Sequence, residues 1–182
     1  MWQKQKLLKV NTIKIKKAAI TDMKSVQEIG RQTFYETFSA VNTEEDMAGY
    51  LEKSFSDIQL TKELSDKDSA FYIASDQHRV IGYLKINTGG AQTELKDDNA
   101  LEIERIYVLQ EYHGKKVGQL LYDKAIEVAK QQNSDYVWLG VWEENPRAIN
   151  FYQKNGFIAF DKHIFRLGDD EQTDIMMKLQ LH

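Results

Sequence analysis

The chain has 182 residues, 42% hydrophobic, 29% charged and 11% aromatic, with a formal charge of −4. That length suits one domain with a packed core, and the acidic balance argues against general nucleic-acid binding and in favour of cationic partners. No cysteine is present, which excludes disulfides, a thiolate nucleophile and thiolate metal sites, and no apolar run is long enough to span a bilayer.

Taken in chain order, residues 1–12 read as an N-terminal extension of a single domain over 1–182. Met1–Val10 lacks the apolar core and small-residue cleavage site of a signal peptide, which predicts a cytoplasmic protein. Ile13–Ala18 alternates like a strand, and Thr21 or Asp22 can cap a helix bearing Met23, Val26, Ile29, Phe34 and Phe38 on one side. Thr43-Glu44-Glu45-Asp46 looks like a capped start for a second helix with Met47, Tyr50, Leu51 and Phe55, and Leu60 and Leu64 mark a third. Ala70–Ala74 and Val80–Ile86 form a hairpin around Ser75–His78, followed by a polar loop from Gly89 to Asn99. Phe157–Phe165 and Thr173–Leu179 are a final strand pair around Gly168-Asp169-Asp170.

The stretch from Leu101 to Phe157 carries the chemistry. Leu101–Leu109 reads as a strand, and Tyr112-His113-Gly114-Lys115-Lys116-Val117-Gly118 as a basic loop that empties into a helix with Val117, Leu120, Leu121, Ala125, Val128 and Ala129 on one stripe. Unpaired N–H groups and the positive end of the peptide dipoles make such a helix start an anion site. Gly114 and Gly118 permit close backbone approach, and Lys115 and Lys116 add charge. An ordinary surface loop is the plainer alternative. Tyr136–Trp142 is a continuous apolar run, read as a buried strand. Asn145 then stands as N-cap, with the only proline, Pro146, at the first helical position. Ala148, Phe151 and Tyr152 share one helix face, and Gly156 stops the helix.

This order of strand, loop, helix, strand, Asn145-Pro146-Arg147-Ala148-Ile149-Asn150-Phe151-Tyr152 and Gly156-Phe157 resembles the GNAT N-acetyltransferase superfamily. Its pyrophosphate loop, Gln/Arg-x-x-Gly-x-Gly/Ala, is matched in part by His113–Gly118: His113 stands for Gln/Arg, Lys116 replaces the first glycine, and Gly118 fits. The resemblance implies an α/β (α+β) domain with a mixed, mostly antiparallel sheet of six to seven strands and helices on both faces. It implies acetyl-CoA as co-substrate, its pyrophosphate on residues from His113 and Gly114 through Lys115, Lys116, Val117 and Gly118 to Gln119. The backbone of Ile106, Tyr107 and Val108 and the side chain of Asn145 would hold the pantetheine arm. Thr33–Phe38, Asn42, Glu44–Met47, Tyr50-Leu51, Phe55, Leu60 and Glu63-Leu64 look like the PaiA-type branch, described as polyamine N-acetyltransferases. Peptide N-termini, an aminoglycoside, or a regulatory acetyl-CoA-binding role without turnover are the alternatives, and the sequence leaves open whether two copies form a homodimer.

Acetyl transfer to an amine needs a neutral nitrogen, a polarised thioester carbonyl and a proton for the departing thiolate. Amines with a pKa near ~10.4 must lose a proton first. Glu102 and Glu104 are the base candidates, against the plainer reading of strand carboxylates paired with Arg105 or a lysine. Tyr152 is the acid candidate, since a phenol near ~10 lies close to a thiol near ~8.5. Val108 N–H would polarise the carbonyl. Trp142 either belongs to the core or lines the cleft, and Glu36, Glu44, Glu45 and Asp46 are candidates to face a cationic substrate, or are simply acidic residues favoured at helix starts. His78, His113, His163 and His182 show no ligand-like spacing and read as surface or packing histidines, with no metal expected.

Overall fold

The computed structural model describes residues 13–167 and 170–182; the N-terminal extension and the Gly168-Asp169 turn lie outside them. The elements run β1 (Ile13–Lys17), α1 (Met23–Phe38), α2 (Glu44–Ser54), α3 (Asp57–Ser65), β2 (Ser69–Asp76), β3 (Arg79–Asn87), β4 (Ala100–Val108), α4 (Val117–Gln131), β5 (Tyr136–Trp142), α5 (Pro146–Lys154), β6 (Ile158–Leu167) and β7 (Asp170–Gln180). The strands form one seven-stranded sheet in the order β1-β2-β3-β4-β5-β7-β6. Only β4 and β5 run parallel, so the expected mixed, mostly antiparallel α/β domain is what the chain builds.

Local signals place the helices. Thr43 Oγ1 accepts from Asp46 N at 3.2 Å to start α2, Ser56 Oγ accepts from Gln59 N at 3.2 Å to start α3, and each satisfies a first-turn donor that the helix cannot. In β3 every residue from Ile81 to Asn87 is buried, so both faces of the sheet centre are covered; α1 and α4 both pack on β3 and β4. The core runs through Val26, Phe34, Phe71, Ile81, Leu84, Leu101, Leu121, Val137 and Leu139.

One irregularity positions the site. β4 pairs with β5 only over Ala100–Glu102 opposite Tyr136–Trp138. Beyond that point β4 carries a bulge, since Lys85 pairs with Arg105 and Ile86 with Ile103, leaving Glu104 as the extra residue. A bulge bends its strand and sharpens its twist. The two parallel strands therefore part, and a cleft opens between them.

Candidate active site

The cleft has two connected parts. The larger, about 780 Å³, is lined by Ile106, Val108, Gly114, Gly118, Asn145 and Arg147 among others. The smaller, about 330 Å³, is lined by Phe34, Tyr50, Glu102, Phe165, His163 and Asp174 among others. Thr37, Ile106, Tyr107, Trp142, Asn145, Ala148 and Tyr152 line both and mark the passage between them.

The larger part is built from backbone. Leu109 N donates to Ile81 O at 2.9 Å, so by the alternation of an antiparallel ladder Tyr107 also faces β3, while Ile106 and Val108 direct their main-chain groups into the gap. Among the three residues expected to pair with an incoming arm, Tyr107 thus turns its backbone away. His113 Nε2 lies 2.9 Å from Val108 O and its Nδ1 meets Arg147 Nη1. A cation can only donate, so the ring takes the tautomer with Nε2–H donating to Val108 O and Nδ1 accepting from Arg147. Burial first, and then the Arg147 charge, lower the His113 pKa and keep it neutral.

The loop ends in the first turn of α4, where Val117, Gly118 and Gln119 present N–H groups without intrahelical acceptors. Gly114 has φ +78 and Lys116 φ +65. Gly118 is helical, and a Cβ added there would meet nothing within 4 Å. The left-handed turn that the family pattern gives to glycine is here made by Lys116. Lys115 does not line the cleft; its ammonium sits 4.2 Å from the centre of the Tyr112 ring. Gln119 Nε2 donates to Asp123 Oδ1 at 2.9 Å and Asn155 Oδ1 at 3.1 Å.

At the passage, Asn145 Oδ1 accepts from Ala148 N at 3.1 Å, capping α5 as expected, and Gly156 closes the helix at φ +91. Tyr152 is 5% exposed, and burial, with a smaller contribution from Tyr122, pushes its hydroxyl pKa well up.

The smaller part has aromatic walls and carboxylates. Phe34 stacks on Tyr50 at 4.1 Å, Tyr50 meets Phe165 edge-on at 5.8 Å, and Phe38 lies 5.7 Å from Trp142. Glu102, 2% exposed, accepts from Thr93 N at 2.9 Å, from the Thr93 hydroxyl and from Asn87 Nδ2 at 3.0 Å. Burial outweighs those donors and raises its pKa. Asp174 pairs in register with Trp142 on β5 and with His163 on β6, and burial raises its pKa against the opposing effect of His163. His163 Nε2 lies 3.4 Å from Glu94 Oε1. Gly140 leaves the room: a Cβ there would come within 3.3 Å of Asp174 Oδ2.

A sequence model of the acetyltransferase (GNAT) family matches residues 28–157. The chain belongs to the GNAT family. This GNAT chain is 40% identical over 169 residues to an uncharacterized N-acetyltransferase in the pepI 3' region of Lactobacillus delbrueckii subsp. lactis, covering 93% of the chain and 98% of that relative. It is 25% identical over 171 residues to the spermidine N(1)-acetyltransferase of Thermoplasma acidophilum, covering 92% and 96%. Among solved structures it is similar to the PaiA N-acetyltransferase of Thermoplasma acidophilum in complex with coenzyme A, with a TM-score of 0.77, 26% identity and coverage of 92% and 98%.

Several of the expected residues of this GNAT chain are engaged by other partners or lie away from the cleft. Glu104, expected as a base alongside Glu102, is held in a buried ion cluster: it meets Lys85 Nζ at 2.6 Å and Arg105 Nη2 at 3.2 Å, and Glu63 meets the same two cations at 3.0 and 3.5 Å. Although burial acts to raise it, the Arg105 and Lys85 charges bring the Glu104 pKa below the usual range. Glu44 and Glu45 are exposed at the start of α2 and line neither part of the cleft, and Asp46 is engaged by Thr43. Glu36 lines the larger part only, where it accepts from Gln110 N at 2.8 Å and ties α1 to the turn after β4. The acidic residues that line the aromatic pocket are instead Glu94, Glu102 and Asp174, with the ion-paired Glu104 and Arg105 at its wall; His163, which reads from the sequence as a surface or packing histidine, lines this pocket, and His113 of the expected pyrophosphate loop lines the larger part. Among the described residues no group of three His, Asp or Glu side chains could hold a metal, and no helix is long and apolar enough to cross a membrane.

Proposed function

We propose that this GNAT chain is an acetyl-CoA-dependent N-acetyltransferase whose acceptor is a cationic primary amine of the polyamine class, such as spermidine or spermine. The observation that carries the reading is the smaller pocket, where aromatic faces surround a space bordered by Glu94, Glu102 and Asp174. Aromatic faces and carboxylates both attract an alkylammonium, whereas an uncharged acceptor would gain nothing from the acidic charge gathered there. The similarity to a protein named spermidine N(1)-acetyltransferase supports the same reading.

The larger part fits a long ligand with an anionic end. It offers free first-turn amides on α4, the open space over Gly118, and a strand edge at Ile106 and Val108 that does not pair with β5. Acetyl-CoA, when bound, supplies the activated thioester. The α4 amides and Lys116 hold its phosphates, Ile106 and Val108 hold its arm, and the Asn145 Nδ2, left over by the cap, adds a donor. Val108 N–H is directed toward the carbonyl that must be polarised, its own C=O being occupied by His113. Glu102 takes the proton that the acceptor ammonium loses, directly or through water. Tyr152 gives one to the departing sulfur. Although Lys116 replaces a glycine of the family pattern, the loop makes a left-handed turn there, so the substitution does not argue against turnover.

The test is release of free thiol from acetyl-CoA with spermidine, a dipeptide amide and an aminoglycoside as acceptors, at low and high salt. Spermidine should give the highest kcat/KM, declining as salt screens the carboxylates over a Debye length of ~8 Å or less. If spermidine is the poorest acceptor, the polyamine reading gives way to a peptide or drug acceptor.

A further inference from the structure

Asn87 is the last residue of β3, fully buried and in register with Glu102. Ser69 Oγ donates to its Oδ1 at 2.7 Å, which sets the amide so that Nδ2 faces β4. Nδ2 then donates to two carboxylates at once, Glu102 Oε2 at 3.0 Å and Glu104 Oε2 at 2.6 Å. The surroundings of these two acids are opposite. Glu104 is paired with Lys85 and Arg105; the partners of Glu102, Asn87 and Thr93, are neutral. Two buried carboxylates side by side repel, and an apolar residue at position 87 would leave them facing one another with acceptors unfilled. An amide is a neutral double donor that can serve both.

We propose that Asn87 is a positioning residue of the transfer reaction: its single amide group holds the Glu102 carboxylate toward the acceptor pocket and apart from the ion-paired Glu104. This rests on the reading of Glu102 as the base. Through Asn87 the ion cluster of Lys85, Arg105, Glu63 and Glu104 becomes the rigid backing of the reactive acid. Such a residue stabilises the ionised form of Glu102 without adding a charge that an incoming ammonium would meet. The charged groups that face Glu102 are Glu104 and Arg105 of its own strand, Lys85 of β3 with Glu63 of α3 behind it, and Glu94, His163 and Asp174 around the pocket.

The titration of Glu102 can be read without any ligand, by carbon-13 NMR of glutamate side-chain carboxyls, with Glu102→Gln giving the assignment. Loss of a charge-assisted hydrogen bond in Asn87→Ala should raise the Glu102 midpoint by about one pH unit, and the isosteric Asn87→Asp should raise it further because it adds an acid. The acidic limb of kcat/KM should move up with the midpoint. A folded Asn87→Ala, or Asn87→Asp should the alanine variant fail to fold, with an unmoved midpoint overturns the inference. So does an acidic limb that vanishes in Glu102→Gln yet ignores Asn87. A midpoint that moves while the limb stays fixed removes Glu102 from the chemistry, and with it any part of Asn87 in the reaction.

Discussion

Tyr152 shows how one side chain is prepared by its surroundings. It sits on the short, well-capped α5 at the passage between the two parts of the cleft, against Phe151 and Phe157. Burial raises its pKa away from the ordinary thiol value, and the same burial raises that of a thiol formed beside it, so the hydroxyl gives up its proton only to a thiolate formed within the site. Tyr152→Phe keeps the ring and removes the proton, so kcat should fall by about 10²–10⁴-fold while acetyl-CoA affinity measured by calorimetry stays near wild type. A near-wild-type kcat, with chemistry shown to limit the rate, would assign Tyr152 to packing. The placement of Tyr152 was legible because Asn145, Pro146 and Gly156 are local signals that bound its helix. Lys116 was not legible in the same way: a lysine rarely adopts φ +65, and nothing local to it announces the turn.

Among the elements, the start of α4 and the parting of β4 from β5 do the positioning. The first is an anion site by virtue of its unpaired amides. Gly118→Glu puts a side chain and a negative charge into that space, and since a Cβ there meets nothing within 4 Å, the fold should survive. Acetyl-CoA affinity should drop at least tenfold by calorimetry; unchanged binding in a folded variant would place the phosphates elsewhere. The helix start could be read from glycines, lysines and the apolar stripe that follows. The bulge at Glu104 could not, because it exists only in the register of β4 against β3, which joins Lys85 to Arg105 twenty residues on. The sequence offers both Glu102 and Glu104 as bases, and the ion partners of Glu104, Lys85 of β3 and Arg105 of β4, separate them.

Across the whole molecule, residues far apart in the chain meet at two places, the ion cluster and the aromatic pocket proposed for the acceptor. The cluster joins α3, β3 and β4. Glu104 has a folded pKa below its unfolded one, so its contribution to stability is complete above about pH 4.3 and is lost as pH falls through the lower folded value. Glu104→Gln strands two buried cations on Glu63 alone and should cost about 3 kcal/mol in urea unfolding at neutral pH, with a shallower loss of stability in acid than the wild type shows; equal stability at pH 7 would mean that the cluster contributes none. The acceptor pocket draws Glu94 from the β3–β4 loop, Glu102 from β4, His163 from β6 and Asp174 from β7. The sequence pointed instead to Glu36 near the end of α1 and to Glu44–Asp46, whose place at a helix start stands out locally, whereas Asp174 reaches the pocket only through the pairing of β7 between β5 and β6. The central claim is that this pocket selects a cationic amine. Its most direct measurement is the ratio of kcat/KM for spermidine to that for an uncharged-chain primary amine of similar length, in the wild type and in Asp174→Asn. Losing one charge-assisted contact should lower that ratio about tenfold or more with acetyl-CoA affinity unchanged; a ratio that is the same in both proteins would contradict the account.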